Sequence, residues 1–158
     1  MIEVRNLKRG EMDVLIGLMK KIVPNIEYYP RKNLKIFMRS YSKKHLLEIF
    51  GRKESVFLLA LDSGKPVGFL FGWNEYGVFW IDWLGVEKHK RRRHIATAMI
   101  ESAEKKARKM GCHKIFLDTS CTNFPALNLY KKLGYSVEAT LRRHWLKWNY
   151  DLIGKFLK

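Results

Sequence analysis

Apolar and polar side chains alternate through IEVRNL at the start of the chain, the period-two pattern of a half-buried strand. The period then changes. Met12, Leu15, Leu18, Met19 and Ile22 recur at helical spacing, and Pro24 closes that segment. A second helical region follows Pro30, with Leu34, Ile36, Phe37 and Met38, then Leu46, Leu47, Ile49 and Phe50 up to Gly51. In SVFLLALDSGKPVGFLFGW two apolar runs flank Asp62-Ser63-Gly64-Lys65, which predicts a hairpin with a tight polar turn. VFWIDWLGV, residues 78–86, is apolar on both faces and reads as a central strand.

From Ile95 a helical stripe runs through Ala98, Met99, Ser102, Ala103, Ala107 and Met110, with Gly111 placed for a C-terminal exit. KIFLD predicts a short buried strand over 114–118, and a helix from about Pro125 to Leu133 is ended by Gly134. YSVEATL and part of LKWNYDLIGKFL supply the last strands. The order predicts an α/β (α+β) chain, a mixed central sheet of about six to seven strands flanked by about four helices.

A chain of 158 residues with 47% hydrophobic and 13% aromatic content is expected to form a single domain over 1–158, neither disordered nor low in complexity. No apolar run approaches the roughly 20 residues of a membrane span, and MIEVRNLKRG lacks a signal-peptide core. A cytoplasmic protein without a membrane partner is the expectation. Cys112 and Cys121 are too few for a disulfide framework, and with His113 they make a poor metal signature, so no metal is expected. Abundant Lys and the absence of Gln lean toward a thermophilic composition.

The formal charge of +16 demands an anionic partner: a phosphorylated cosubstrate, an acidic substrate, nucleic acid or anionic lipid. Its densest piece is KHKRRRH, residues 88–94, between a predicted central strand and a predicted helix start. Helix-start N–H groups have no intrahelical acceptors and carry the positive end of the macrodipole, so strand, basic loop and helix together make a phosphate site. The remaining charge is spread over Lys43, Lys44, Lys105, Lys106, Arg108, Lys109, Arg142 and Arg143, where a solvated face and an acidic or ribosomal partner surface are both open readings.

Val86 followed by Arg91-Arg92-Arg93-His94-Ile95-Ala96 resembles the acetyl-CoA signature of the GNAT superfamily of N-acetyltransferases, Arg/Gln-x-x-Gly-x-Gly/Ala after a strand ending in Val. NFPALNLYKKLGYSVEA resembles the second signature of that family through Asn123, Ala126, Tyr130, Gly134 and Tyr135. His94 stands where the family pattern has glycine. Histidine tolerates the left-handed region better than most residues and as a cation adds a phosphate contact, so the loop reads as a modified one.

The resemblance implies acetyl-CoA as cosubstrate and a primary amine acceptor: a small molecule, a protein N-terminus or a lysine. It assigns the cosubstrate to Leu84, Val86, Arg91, Arg92, Arg93, His94, Ile95, Ala96, Thr97, Asn123 and Tyr130. Tyr130 would be the acid for the departing thiolate, or else part of the core stripe of Ala126, Leu129 and Leu133. Asp82, the one carboxylate in VFWIDWLGV, would be the base directly or through water, or else half of a buried ion pair. Asn123 would contact CoA or cap the short helix. Gly85 would suit a bulge before the loop, or simply a strand end.

Tyr28, Tyr29, Trp73, Tyr76, Trp145 and Trp148 would wall an acceptor pocket or fill the core. The alternatives are a non-catalytic CoA-binding protein and an RNA- or ribosome-binding protein on the same scaffold. Monomer and homodimer are both open.

Overall fold

The computed structural model describes residues 1–158. One seven-stranded sheet carries the chain, in the order β1-β2-β3-β4-β5-β7-β6. The strands are β1 (Ile2–Asn6), β2 (Ser55–Asp62), β3 (Lys65–Glu75), β4 (Val78–Val86), β5 (Lys114–Ser120), β6 (Ser136–Leu141) and β7 (Tyr150–Phe156). All neighbours are antiparallel except β4 and β5.

The helices are α1 (Met12–Ile22), α2 (Arg31–Ser40), α3 (Lys43–Phe50), α4 (Ile95–Lys109) and α5 (Phe124–Lys132). Five helices form where about four were expected. The helical region after Pro30 breaks at Tyr41-Ser42, and Ser42 caps α3 by accepting from the His45 N–H at 3.2 Å. None of them is long and apolar enough to cross a membrane.

Alternation along the strands separates two cores. Phe57, Leu59, Phe69 and Phe71 meet Leu15, Met19 and Leu46 of α1 and α3 on one face. Val56, Leu58, Leu70, Phe79 and Ile115 meet Met99, Ile100 and Ala103 of α4 on the other. The predicted hairpin forms between β2 and β3, with Ser63 and Gly64 both at positive φ (51° and 79°), as a right-twisted two-residue turn requires. The strand VFWIDWLGV lies fourth of seven, with a neighbour on either side.

Two irregularities of β4 create the site. Its parallel pairing with β5 lasts only from Val78↔Lys114 to Trp80↔Phe116, so beyond Trp80 the sheet splits. Just past that point β4 bulges: Phe71 pairs with Trp83 and Gly72 with Ile81, leaving Asp82 as the extra residue.

The bulge reverses the strand's parity. Phe79 and Ile81 face α4 before it, Leu84 and Val86 after it, while Trp83 packs toward α1–α3. Gly72 permits this, since a Cβ there would lie 2.0 Å from the Trp80 carbonyl oxygen. The bulge therefore forms three residues before Gly85, which occupies an ordinary position near the strand end. Gly85 pairs in register with Phe69, and its missing side chain makes room for the Phe69 ring, 2.8 Å from the Cβ position.

Candidate active site

The basic run is a short loop between β4 and α4, and much of its charge is already spoken for. Lys90 and Arg93 both reach Asp62 at the end of β2, at 2.9 and 2.8 Å. Lys88 pairs with Glu27, and the buried Glu87 takes Lys21 at 2.5 Å with His89 Nε2 3.1 Å away. Arg91, Arg92 and His94 have no acidic partner. Arg91 Nε donates to the Val86 carbonyl at 3.2 Å, folding its side chain back along the end of β4. Of the three arginines, Arg93 is held to Asp62 and tethers the loop, whereas Arg91 and Arg92 carry no such pair.

His94 adopts the glycine conformation without being glycine: φ 59°, ψ 15°, immediately before α4. Arg92 is left-handed as well, at φ 61°. These two residues wind the loop onto the helix start, where Ile95, Ala96 and Thr97 present the first-turn N–H groups that a helix leaves unbonded. The helix start suits a diphosphate through its open N–H donors and the positive end of its dipole, and the adjoining loop carries two arginines without an acidic partner. The β4 edge from Ile81 to Val86, facing the split and unpaired on the β5 side, leaves Leu84 and Val86 free to pair with an extended amide-bearing arm.

Behind the loop the split opens into a cavity of about 480 Å³, bounded by β4, β5, α2, α5 and the β6–β7 connection. Two carboxylates line it, Asp82 and Asp118. Asp82 accepts from the Tyr41 hydroxyl at 2.7 Å and from Trp80 Nε1 at 3.1 Å. Burial raises its carboxyl above the ordinary aspartate value, and those two hydrogen bonds pull it partly back. The ion-pair alternative for Asp82 is not what forms, because both partners are neutral donors. Asp118, on β5 across the split, accepts from Trp145 Nε1 at 2.8 Å. Its carboxyl is also raised, first by burial and further by the charge of Asp82.

Tyr130 comes to the same cavity from α5, buried but for 3% of its surface. Its ring packs on Tyr135 at 5.3 Å and its hydroxyl has no hydrogen-bond partner in the protein. Burial raises its pKa, so it is a protonated donor throughout the neutral range. Asn123 is the N-cap of α5: its Oδ1 accepts from the Ala126 N–H at 3.4 Å, and its Nδ2 donates to Thr119 Oγ1 at 3.1 Å.

Of the six aromatics suggested for an acceptor pocket, Tyr29 and Trp145 line the cavity. The Tyr29 hydroxyl accepts from the Ser120 N–H at 3.0 Å and closes the far end of β5. Trp73 lies under the Arg52 guanidinium, Tyr76 is fully exposed on the β3–β4 turn, and Trp148 donates to Ser120 Oγ. Tyr28 contributes its carbonyl oxygen to Thr122.

The sequence reading missed Tyr41, Asp118 and Tyr150. Asp118 carried the same signal as Asp82, a lone acid in a buried strand. Tyr150 lies 2% exposed at the cavity wall with an unpartnered hydroxyl.

A basic loop that ends at a helix start thus lies at the mouth of a split sheet, with two raised carboxyl groups and a protonated tyrosine behind it. The model of the acetyltransferase (GNAT) family matches residues 25–135. An N-alpha-acetyltransferase of Sulfurisphaera tokodaii is 26% identical over 156 residues, spanning 90% of this chain and 84% of that protein. The fold is that of the PaiA N-acetyltransferase from Thermoplasma acidophilum, solved with coenzyme A, at TM-score 0.85, 22% identity and 99% coverage of both chains. Ard1 from Thermoplasma volcanium shares it at TM-score 0.72 and 17% identity, over 99% of this chain and 98% of that one.

The chain belongs to the GNAT family of acetyltransferases. It is an acyltransferase that moves an acetyl group from acetyl-CoA to an amine.

Proposed function

We propose that the acceptor is the α-amino group of a polypeptide N-terminus and that the whole chain, 1–158, is one catalytic domain. The observation that carries this reading is the meeting of Asp82, Asp118 and Tyr130 in one apolar-walled cavity. An ammonium group is drawn to the two carboxylates, and the aromatic and aliphatic walls take the side chain that follows it. The N-alpha-acetyltransferase of Sulfurisphaera tokodaii supports the same acceptor.

Acetyl-CoA supplies an activated thioester. Arg91, Arg92, His94 and the N–H groups of Ile95, Ala96 and Thr97 hold its diphosphate, while the free edge of β4 at Leu84 and Val86 pairs with the pantetheine arm. Asn123 keeps α5 capped beside that arm. Asp82, directly or through one water, takes a proton from the bound ammonium. The neutral amine forms the new C–N bond to the acetyl carbon as the C–S bond breaks. Tyr130 gives its proton to the departing sulfur and is reprotonated, through water, by the second proton that the newly acylated nitrogen loses. Backbone N–H groups on β4 polarise the carbonyl during transfer.

A small polyamine is the second reading, favoured by the pair of carboxylates. Against it stand the cations around the cavity mouth, which repel a polycation. The test is thiol release from acetyl-CoA with three acceptor sets: peptides with a free N-terminus, N-blocked peptides with an internal lysine, and polyamines. Acetylation of the α-amine supports the proposal; turnover confined to polyamines or to lysine overturns it.

A further inference from the structure

The cavity reverses charge between floor and rim. Its two acidic side chains are Asp82 and Asp118. Its walls come from segments of opposite sign. Residues 28–47, which include α2, contain no acid, and neither do residues 139–150, which include the β6–β7 connection.

On α2 the cavity-facing residues are Ile36, Phe37 and Ser40. At about 100° per residue, Lys32, Lys35 and Arg39 occupy the adjoining solvent stripe, all exposed. In the connection, Trp145 and Leu146 face the cavity, flanked by exposed Arg142, Arg143 and Lys147. None of these six cations is in an ion pair. The rim is therefore unlike the loop at 88–94, where four of seven basic residues lie against acids. Large apolar surface is exposed among the cations: Ile36 at 46%, Trp145 at 49% and Leu146 at 39%.

A single ligand that satisfies both zones has a positive end, an apolar stretch and negative charge behind it. A polyamine meets the floor and is repelled by the rim. A nucleic acid meets the rim and brings nothing for the floor. A polypeptide whose free N-terminus is followed by Asp or Glu meets both, since its ammonium enters the cavity and residues following at roughly 3.3 Å each emerge between α2 and the β6–β7 connection.

We infer that this enzyme selects acidic N-termini, with Lys32, Lys35 and Arg39 on one side and Arg142, Arg143 and Lys147 on the other reading the carboxylates that follow the acceptor amine. The inference rests on the N-terminal acetyltransferase reading above and narrows it to a substrate class. Charge of this kind acts on encounter and on specificity more than on the chemical step, so the selection falls in kcat/KM and fades with salt.

The experiment compares peptides of equal length with identical first residues and Asp/Glu, Ser/Asn or Lys at positions two to five. At low salt, kcat/KM for the acidic set exceeds the neutral set by at least about tenfold, with the basic set lowest, and the ratio shrinks as salt is added. In Lys35→Glu/Arg39→Glu combined with Arg142→Glu/Arg143→Glu, the acidic-to-neutral ratio falls to about one or below. Acetyl-CoA-induced melting shifts check that this variant is folded.

Equal or better use of neutral or basic peptides overturns the inference while leaving N-terminal acetylation standing. So does RNA that inhibits competitively in the absence of any peptide preference, which reassigns the rim to nucleic acid. Equilibrium binding of the same peptides, read by tryptophan fluorescence, separates the two claims. Acidic preference in binding without turnover retains the rim and removes the chemistry; turnover without preference does the reverse.

Discussion

The Tyr41 hydroxyl donates a 2.7 Å hydrogen bond to Asp82 Oδ2, joining the break between α2 and α3 to the bulge of β4. This bond is one of two that restrain the upward shift burial imposes on Asp82. Removing it in Tyr41→Phe raises the Asp82 pKa further. Because the base works deprotonated, the acid limb of the kcat/KM profile moves to higher pH in Tyr41→Phe and disappears in Asp82→Asn. A pH–rate profile that is identical in all three proteins removes Asp82 from the reaction.

Tyr130→Phe separates the acid from the core residue. The hydroxyl is bonded to nothing in the protein, so its loss leaves the ring packing on Tyr135 in place and the melting temperature nearly unchanged. Turnover falls by about 10²-fold or more, the range of a positioned general acid, with little change in KM. Full turnover in the variant would make Tyr130 a packing residue.

His94 is tested in two directions. His94→Gly suits φ 59° and relieves roughly 1 kcal/mol of left-handed strain, offset in part by the greater freedom of glycine in the unfolded chain. Its melting temperature stays within a few degrees of the parent, and KM for acetyl-CoA changes only by the loss of one side chain. His94→Val places a β-branched residue where φ is positive and raises that KM by about tenfold or more. Equal KM values in the two variants would mean that the conformation at 94 does not shape the cosubstrate site.

Burying Asp118 has a cost whose sign depends on pH. Its folded pKa lies above the unfolded one, so the folded state binds the proton more tightly. The cost is absent below the ordinary aspartate pKa of about 3.9 and grows as pH rises through the raised value. Asp118→Asn therefore melts higher than the parent at pH 7, and the difference closes toward pH 3. Thermal scans across that range check it.

Most of the fold was legible because local pattern and tertiary context agree. Period two in β1, helical spacing in α1 and α4, and the Ser63-Gly64 turn each needed only their own residues. The break at Tyr41-Ser42 is masked by apolar residues that recur on both sides of it, although Ser42, the N-cap of α3, is its one local mark.

Glycine marks bulges, so Gly85 is open to reading as a bulge or as a plain strand end, and it is the strand end that forms. The bulge forms at Asp82 because the glycine that permits it, Gly72, lies on the neighbouring strand. Pairwise facts of this kind do not show in a single stretch of sequence. The same holds for Arg93, whose partner Asp62 is distant in the chain, and for Tyr41, which reaches Asp82 across the cavity. Asp118 was within reach of the argument that selected Asp82.

The most direct test of the account is mass-spectrometric mapping of acetyl groups after incubation with acetyl-CoA and peptides that carry both a free N-terminus and an internal lysine. The account predicts one acetyl group per peptide, on the α-amine, with matching thiol release that slows by about 10²-fold or more in Tyr130→Phe. Acetyl-CoA binding, seen as a raised melting temperature, with no acetyl group on any peptide amine would contradict it.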